Sequence, residues 1–169
     1  MTDMTDNLTN WDLRFLGLAD QARSWTKGLG AGVDRGVGAC VVSPDMRQLS
    51  LGFSGFPRGI DDTPERLASK EYRDYHTVHA ELNAILNASC SLVGWTMYAT
   101  TCPCAQCSSA IIQAGISRVV SPSPDATSSW HRSQLEGRDS LREAGVLVVT
   151  STQLPFPKIW GTYGKGNNG

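Results

Sequence analysis

Residues 79–107 hold side chains whose types and spacing could do hydrolytic chemistry. His79 and the pair Cys104-x-x-Cys107 offer one nitrogen and two sulfurs. Three ligands of this kind leave the fourth tetrahedral position of a zinc ion open, which separates a catalytic zinc from a closed structural one. An open position holds a water, and zinc lowers that water's pKa to about 7. Glu81, two residues after His79, is a carboxylate left over from ligation and placed to move that water's proton. A lone C-x-x-C is often half of a structural site, and a lone His-x-Glu is common by chance. The two together, in this order and each at the expected start of a helix, point to catalysis, because a structural zinc has no need of the carboxylate. Cys102, just before Pro103, belongs to the end of the preceding strand and is expected to point elsewhere. His76 and His131 read as surface histidines.

For one ion to join these residues, two helix starts must converge. The pattern over 78–88 predicts a helix with His79 and Glu81 at its start. A second, over 103–114, opens on the cysteine pair and stops at Gly115. Placement in a first turn matters, because the positive end of the helix dipole favours thiolates. Pro103 pre-sets that turn, and the i, i+3 spacing puts both sulfurs on one face. Upstream, Trp11, Phe15, Leu18, Ala22 and Trp25 recur at helical spacing and predict a helix over 11–26 capped by Asn10. Strands over 37–42 and 48–53 form a hairpin about Ser43-Pro44-Asp45. Residues 54–63 are too rich in Gly, Pro and Asp to be regular, and Pro64 opens a short helix running to about Tyr72. Strands over 95–100, 116–120 and 146–150 alternate with helices over 103–114 and 132–144, giving two parallel crossovers. The expected fold is α/β: a three-layer α/β/α arrangement with a five-stranded mixed sheet and helices on both faces. One domain spans 11–153, after a disordered or extended stretch over 1–10 and before a tail over 154–169.

The 169 residues carry 15 Lys and Arg against 16 Asp and Glu, a net charge of −1. That argues against a nucleic-acid partner, which calls for a basic footprint. It leaves room for a mononucleotide, which needs only one or two cations. No apolar run approaches the roughly 18 residues of a membrane span. Residues 1–10 have neither the basic start nor the apolar middle of a signal peptide. A soluble, cytoplasmic protein without a membrane partner is expected. Five cysteines, with three clustered at 102, 104 and 107, suit metal better than a disulfide framework. Cys40, in an apolar strand, reads as a core residue.

The order His-x-Glu, then Pro-Cys-x-x-Cys, is the signature of zinc-dependent nucleobase deaminases. The run His79-Ala80-Glu81-Leu82-Asn83-Ala84-Ile85-Leu86-Asn87 resembles the deoxycytidylate (dCMP) deaminase family. So do Ala110-Ile111-Ile112-Gln113-Ala114-Gly115-Ile116, Val37-Gly38-Ala39-Cys40 and Gly52-Phe53-Ser54-Gly55-Phe56-Pro57-Arg58-Gly59, the resemblance covering roughly residues 10 to 150. It implies the cytidine-deaminase fold and hydrolysis of dCMP to dUMP and ammonia, supplying dUMP for thymidylate synthesis. It implies Zn2+ on His79, Cys104 and Cys107, Glu81 as catalytic acid and base, and a homo-oligomer, with a hexamer favoured. Activation by dCTP with Mg2+ and inhibition by dTTP are implied too, at a site involving Gly55, Phe56, Pro57 and Arg58. Glycine there lets backbone approach phosphate, and arginine can bind it bidentately. Candidate substrate contacts are Ala80, Trp130, Arg132 and Arg35, the last as a phosphate cation.

The chain also departs from that family. The loop usually reads Gly-Tyr-Asn-Gly, and here Phe53 and Ser54 replace the Tyr and Asn. Ser89 and Cys90 stand where some viral members place a phosphate-binding arginine. Deaminases of other nucleobases, of nucleosides and of transfer-RNA adenosine share the zinc motif and remain alternatives. The transfer-RNA editors usually show Glu-Pro-Cys where this chain has Cys102-Pro103-Cys104, and lack the glycine-rich insertion. A non-enzymatic nucleotide-binding scaffold is disfavoured by the intact Glu81.

Overall fold

The computed structural model describes residues 8–27 and 36–151. Its strands are β1 (Gly38–Val42), β2 (Leu49–Phe53), β3 (Thr96–Ala99), β4 (Arg118–Pro122) and β5 (Leu147–Ser151), forming one sheet in the order β2-β1-β3-β4-β5. β1 runs antiparallel to both β2 and β3, while β3, β4 and β5 are parallel. The helices are α1 (Asn10–Arg23), α2 (Pro64–Ala68), α3 (Lys70–His76), α4 (Ala80–Asn87), α5 (Ala105–Gln113) and α6 (His131–Glu143). Among the described residues, no helix is long and apolar enough to cross a membrane.

The period-two alternation of strands sorts the core into two halves. Ala39, Val41, Met97, Val119 and Val148 pack with Ala80 and Ala84 of α4, Ile111 of α5 and Leu141 of α6. Their chain neighbours Cys40, Val42, Tyr98, Val120 and Val149 pack on the opposite face with Phe15, Leu16 and Ala19 of α1. The uneven split follows from topology. β2 and β3 both oppose β1, so α4, α5 and α6 each join parallel strands, and the strand order advances in one direction. Right-handed crossovers then place all three helices on one face, and α1, which precedes the sheet, covers the other. The expected three-layer α/β fold with a five-stranded mixed sheet is the one observed.

Element ends differ from the sequence expectation for local reasons. Thr9, not Asn10, caps α1: the Thr9 hydroxyl accepts from Asp12 N at 3.1 Å, and the Asp12 carboxylate accepts from Thr9 N at 2.9 Å. This is a capping box. The same buried carboxylate receives two bonds from Arg118 of β4, at 2.7 and 3.0 Å, and one from the Tyr98 hydroxyl at 2.9 Å. One acidic side chain thus starts α1 and bolts it to the sheet. The helix expected from Pro64 is two helices, broken at Ser69, whose extended backbone ends α2 and whose hydroxyl accepts from Tyr72 N to begin α3. α4 starts two residues later than expected, because Val78 is held in a backbone bridge with Gly55. The tail over 154–169 lies outside the described residues.

Candidate metal centre

His79 and Cys104 are the N-cap residues of α4 and α5, and neither side chain makes the geometric N-cap hydrogen bond. An N-cap side chain ordinarily turns back to accept a first-turn N–H. Here the two side chains meet each other instead, His79 Nδ1 within 3.5 Å of Cys104 Sγ. Cys107 is the third residue of α5, so the two cysteines occupy the cap and the first turn, and Pro103 precedes the helix rather than beginning it. His79 Nδ1 lies 3.5 Å from Cys104 Sγ and 3.3 Å from Cys107 Sγ. All three candidate ligand atoms fall within 4.8 Å of one another. In a tetrahedral site with Zn–S of about 2.3 Å and Zn–N of about 2.1 Å, the N···S edge is about 3.6 Å. The donor set and its spacing therefore fit zinc.

The electrostatics fit as well. The Cys107 S–H donates to Cys104, and this bond is the main reason the Cys104 thiol is held down to about 4; burial opposes it and the bond with His79 assists. Cys107 is pushed up by the same shared proton and by burial. His79 is raised, chiefly by its bond with Cys104. A lowered Cys104 thiol is a ready metal ligand, while the proton held on His79 is the one a metal must displace. Glu81 is only 2% exposed, and burial drives its carboxyl upward; its own backbone N–H and His79 offset this in part. A raised carboxyl holds its proton more readily, which suits a group that must both take and give one.

Two glycines let the helix starts that carry the candidate ligands come together. A Cβ at Gly52 of β2 would sit 2.1 Å from the Ala80 carbonyl oxygen and 2.3 Å from Ala84 N, so α4 rests directly on the strand backbone. A Cβ at Gly137 of α6 would sit 2.9 Å from the Cys104 carbonyl carbon and oxygen. Polar bonds then hold α4 in place. Ser50 Oγ donates to Ala84 O at 2.7 Å, and the amides of Asn83 and Asn87 donate to Phe53 O at 2.8 Å and Leu51 O at 3.0 Å. The two asparagines also cover outward carbonyls of an edge strand.

The remaining candidates are distributed unevenly. Trp130 sits edge-on to His79, ring centroids 5.4 Å apart, and is 45% exposed, forming an aromatic wall beside the cluster. Arg132 is exposed in the first turn of α6. The Ala80 methyl is buried in the core. Arg35 lies outside the described residues. Gly55 exchanges backbone bonds with Val78, the residue before His79, at 2.8 and 3.2 Å. Phe56 packs edge-on against Tyr72, which stacks on His76 at 4.1 Å; His76 is not part of the cluster. Pro57 O accepts from Ile60 N at 3.1 Å, shaping the loop. Arg58 donates to Asn87 Oδ1 at 3.0 Å, which turns it to the far end of α4 from His79. The two departures in that loop serve packing. Phe53 meets Trp25 edge-to-face at 6.0 Å, and the Ser54 hydroxyl accepts from Val37 N at 3.0 Å.

Cys102 points away, as expected, with its sulfur 3.9 Å from Pro103 O and Gln134 O and burial pushing its thiol up to about 12. His131, expected as a surface histidine, is the partly buried first residue of α6. A groove of 470 Å³ lies at the other end of α4, lined by residues such as Gln48, Asn87 and Cys90, and includes none of the three ligands. Concavity alone therefore does not mark this site; donor chemistry does. The sequence reading missed Ser133 and Gly137 of α6. An isolated glycine inside a predicted helix was the available signal for Gly137, and a serine in a polar helix carried none for Ser133.

Residues 9–122 match the family described as the cytidine and deoxycytidylate deaminase zinc-binding region. An uncharacterized deaminase of Aliivibrio fischeri is 34% identical over 151 residues, covering 88% of this chain and 97% of that protein. The deoxycytidylate deaminase of Saccharomyces cerevisiae is 35% identical over 89% of this chain. The chain spans 47% of that enzyme's length, and about half the length of several other deoxycytidylate deaminases that it matches. Among solved structures, the dCMP deaminase of cyanophage S-TIM5 in complex with dCMP and dUMP shares the fold, with a TM-score of 0.64 at 23% identity over 85% of this chain and 99% of that one. With the family match covering most of the chain and the Aliivibrio protein aligned over nearly the whole of both, this chain belongs to the cytidine and deoxycytidylate deaminase family.

Proposed function

We propose that the protein hydrolyses dCMP to dUMP and ammonia. The observation that carries this reading is the placement of Glu81, a buried carboxyl beside a His/Cys/Cys cluster that it does not join. Relatives named as deoxycytidylate deaminases, and a neighbour of the same fold solved with dCMP and dUMP, support the choice of substrate. His79, Cys104 and Cys107 would hold Zn2+, which when bound supplies Lewis acidity and a water acidic enough to react at neutral pH. Glu81 takes a proton from the attacking water as its oxygen bonds to C4 of the cytosine, and delivers that proton to N3. Glu81 then carries the hydroxyl proton of the adduct to the amino group. The C4–N bond breaks, ammonia leaves, and the uracil carbonyl remains. Trp130 offers a flat wall against which the base can pack. The product would feed thymidylate synthesis in the cytoplasm.

Regulation belongs to the same reading. Effector binding at Gly55, Phe56, Pro57 and Arg58 would bear on His79 through the backbone pairing of Gly55 with Val78. A dCTP–Mg2+ complex would compete with Asn87 for Arg58, and dTTP would oppose activation. A homo-oligomer, a hexamer by family resemblance, would house that control. The test is loss of cytosine absorbance on incubation with dCMP, with and without dCTP and Mg2+. Turnover with stoichiometric ammonia is expected. No turnover under either condition would overturn the proposal, and a panel of cytidine, guanine, a riboflavin precursor and transfer RNA would then identify the substrate.

A further inference from the structure

One face of α6 closes the candidate metal centre, although it lies beyond the family match, which ends at residue 122. Trp130, Ser133 and Gly137 stand at i, i+3 and i+7, the spacing of a single helical face. Trp130 meets the His79 ring, Ser133 Oγ accepts from Ala105 N at 3.1 Å, and Gly137 lies against the Cys104 carbonyl. Cys104 occupies the N-cap of α5 without capping it. An N-cap side chain serves the second or third N–H of a helix, so the first N–H of α5, that of Ala105, needs a partner from elsewhere.

We infer that Ser133, by accepting the first N–H of α5 from another helix, is a positioning residue for the Cys104 ligand. The peptide joining Cys104 to Ala105 is held on both sides. Its carbonyl accepts from Ser108 N at 2.8 Å, and its N–H donates to Ser133 Oγ. With that peptide plane fixed, the Cys104 Cα, and hence the direction in which its sulfur leaves, is fixed as well. Gly137 makes this possible, because a side chain there would lift α6 from the start of α5 and carry Ser133 out of reach. The inference rests on the reading of His79, Cys104 and Cys107 as a zinc site.

The test measures metal binding rather than turnover. Zinc affinity is obtained by chelator competition, and cobalt is substituted to report ligand geometry through its visible absorption. The proteins compared are unmutated, Ser133→Ala, Ser133→Thr and the surface control Ser140→Ala, whose hydroxyl donates to Glu136 O at 2.9 Å. Loss of an outer partner of a metal ligand typically weakens binding about 10–100-fold. Ser133→Ala is expected to lose at least about 10-fold with an altered cobalt spectrum, while Ser133→Thr restores both and Ser140→Ala changes neither. If the unmutated protein binds no zinc, the zinc reading fails, and this inference with it. If it binds zinc and Ser133→Ala matches it in affinity and spectrum, this inference alone is overturned. Hydrogen exchange at Ala105 in the unmutated protein needs no variant. Protection supports the inference, and exchange at the rate of a free amide overturns it.

Discussion

Replacing Gly52 by alanine should damage the candidate metal centre without touching any of its candidate ligands. The new methyl would lie 2.1 Å from Ala80 O, 2.3 Å from Ala84 N and 3.0 Å from Ala84 Cα, where ordinary contact begins at 3.4 Å. All three atoms are helix backbone, so no side-chain rotation can relieve the clash and α4 must retreat from β2 by about 1 Å. Overpacking of this kind costs about 1–3 kcal/mol, and a rigid backbone neighbour puts the cost at the upper end, about 2–3 kcal/mol. For a chain of this size that lowers the melting temperature by about 4–12 °C. The retreat also strains the bonds from Ser50 to Ala84 O and from Asn83 to Phe53 O. His79 and Glu81 move with the helix start, and a displacement of about 1 Å is enough to cost about 100-fold in rate. The assay pairs thermal unfolding with zinc content and dCMP turnover. Gly17→Ala is the counter-case. Nothing lies within 4 Å of its added Cβ on α1, and helix propensity predicts a gain of about 0.5–1 kcal/mol. If Gly52→Ala melts within a degree of the unmutated protein and keeps full turnover, the argument that Gly52 seats α4 is wrong.

Three further predictions follow from the site and its anchor. Glu81→Gln should keep a full complement of zinc while losing about 100- to 10,000-fold in kcat; near-normal turnover at normal zinc content would remove Glu81 as the proton carrier. Stripping metal with a chelator should abolish turnover and lower the melting temperature, with zinc restoring both, because metal bound to the native state stabilises it; a chelated protein that melts unchanged would count against zinc at this cluster. Asp12 should leave a signature in acid: burial pushes its carboxyl up, but the bonds from Arg118, Thr9 and Tyr98 prevail and hold it at about 2, below its ordinary 3.8. A lowered carboxyl stabilises the fold fully above its unfolded pKa and loses that contribution as pH falls from about 4 through about 2, a change of about 2 kcal/mol. The stability gap between the unmutated protein and Asp12→Asn, measured by urea unfolding, should therefore shrink between pH 7 and pH 2; a constant gap would refute the argument.

Much of this protein was legible in the chain because its chemistry is local. His79, Glu81, Cys104 and Cys107 announce themselves by type and short spacing, and the helices that carry them by periodicity and by Gly115 at the end of α5. The hairpin and the two parallel crossovers were enough to infer a mixed five-stranded sheet. What sequence could not supply were contacts between residues far apart in the chain. Nothing near Asp12 announces that Arg118 will bind it, nor does anything near Ser133 point to Ala105 N. Gly52 and Gly137 read as ordinary glycines until α4 and α6 are seen to press on them. Arg58, promising in sequence as a phosphate ligand, is turned by the fold toward Asn87. The candidate ligands are set by residue type and spacing, which one dimension can encode. Their convergence depends on how closely helices approach backbone, and that is decided only when the layers pack.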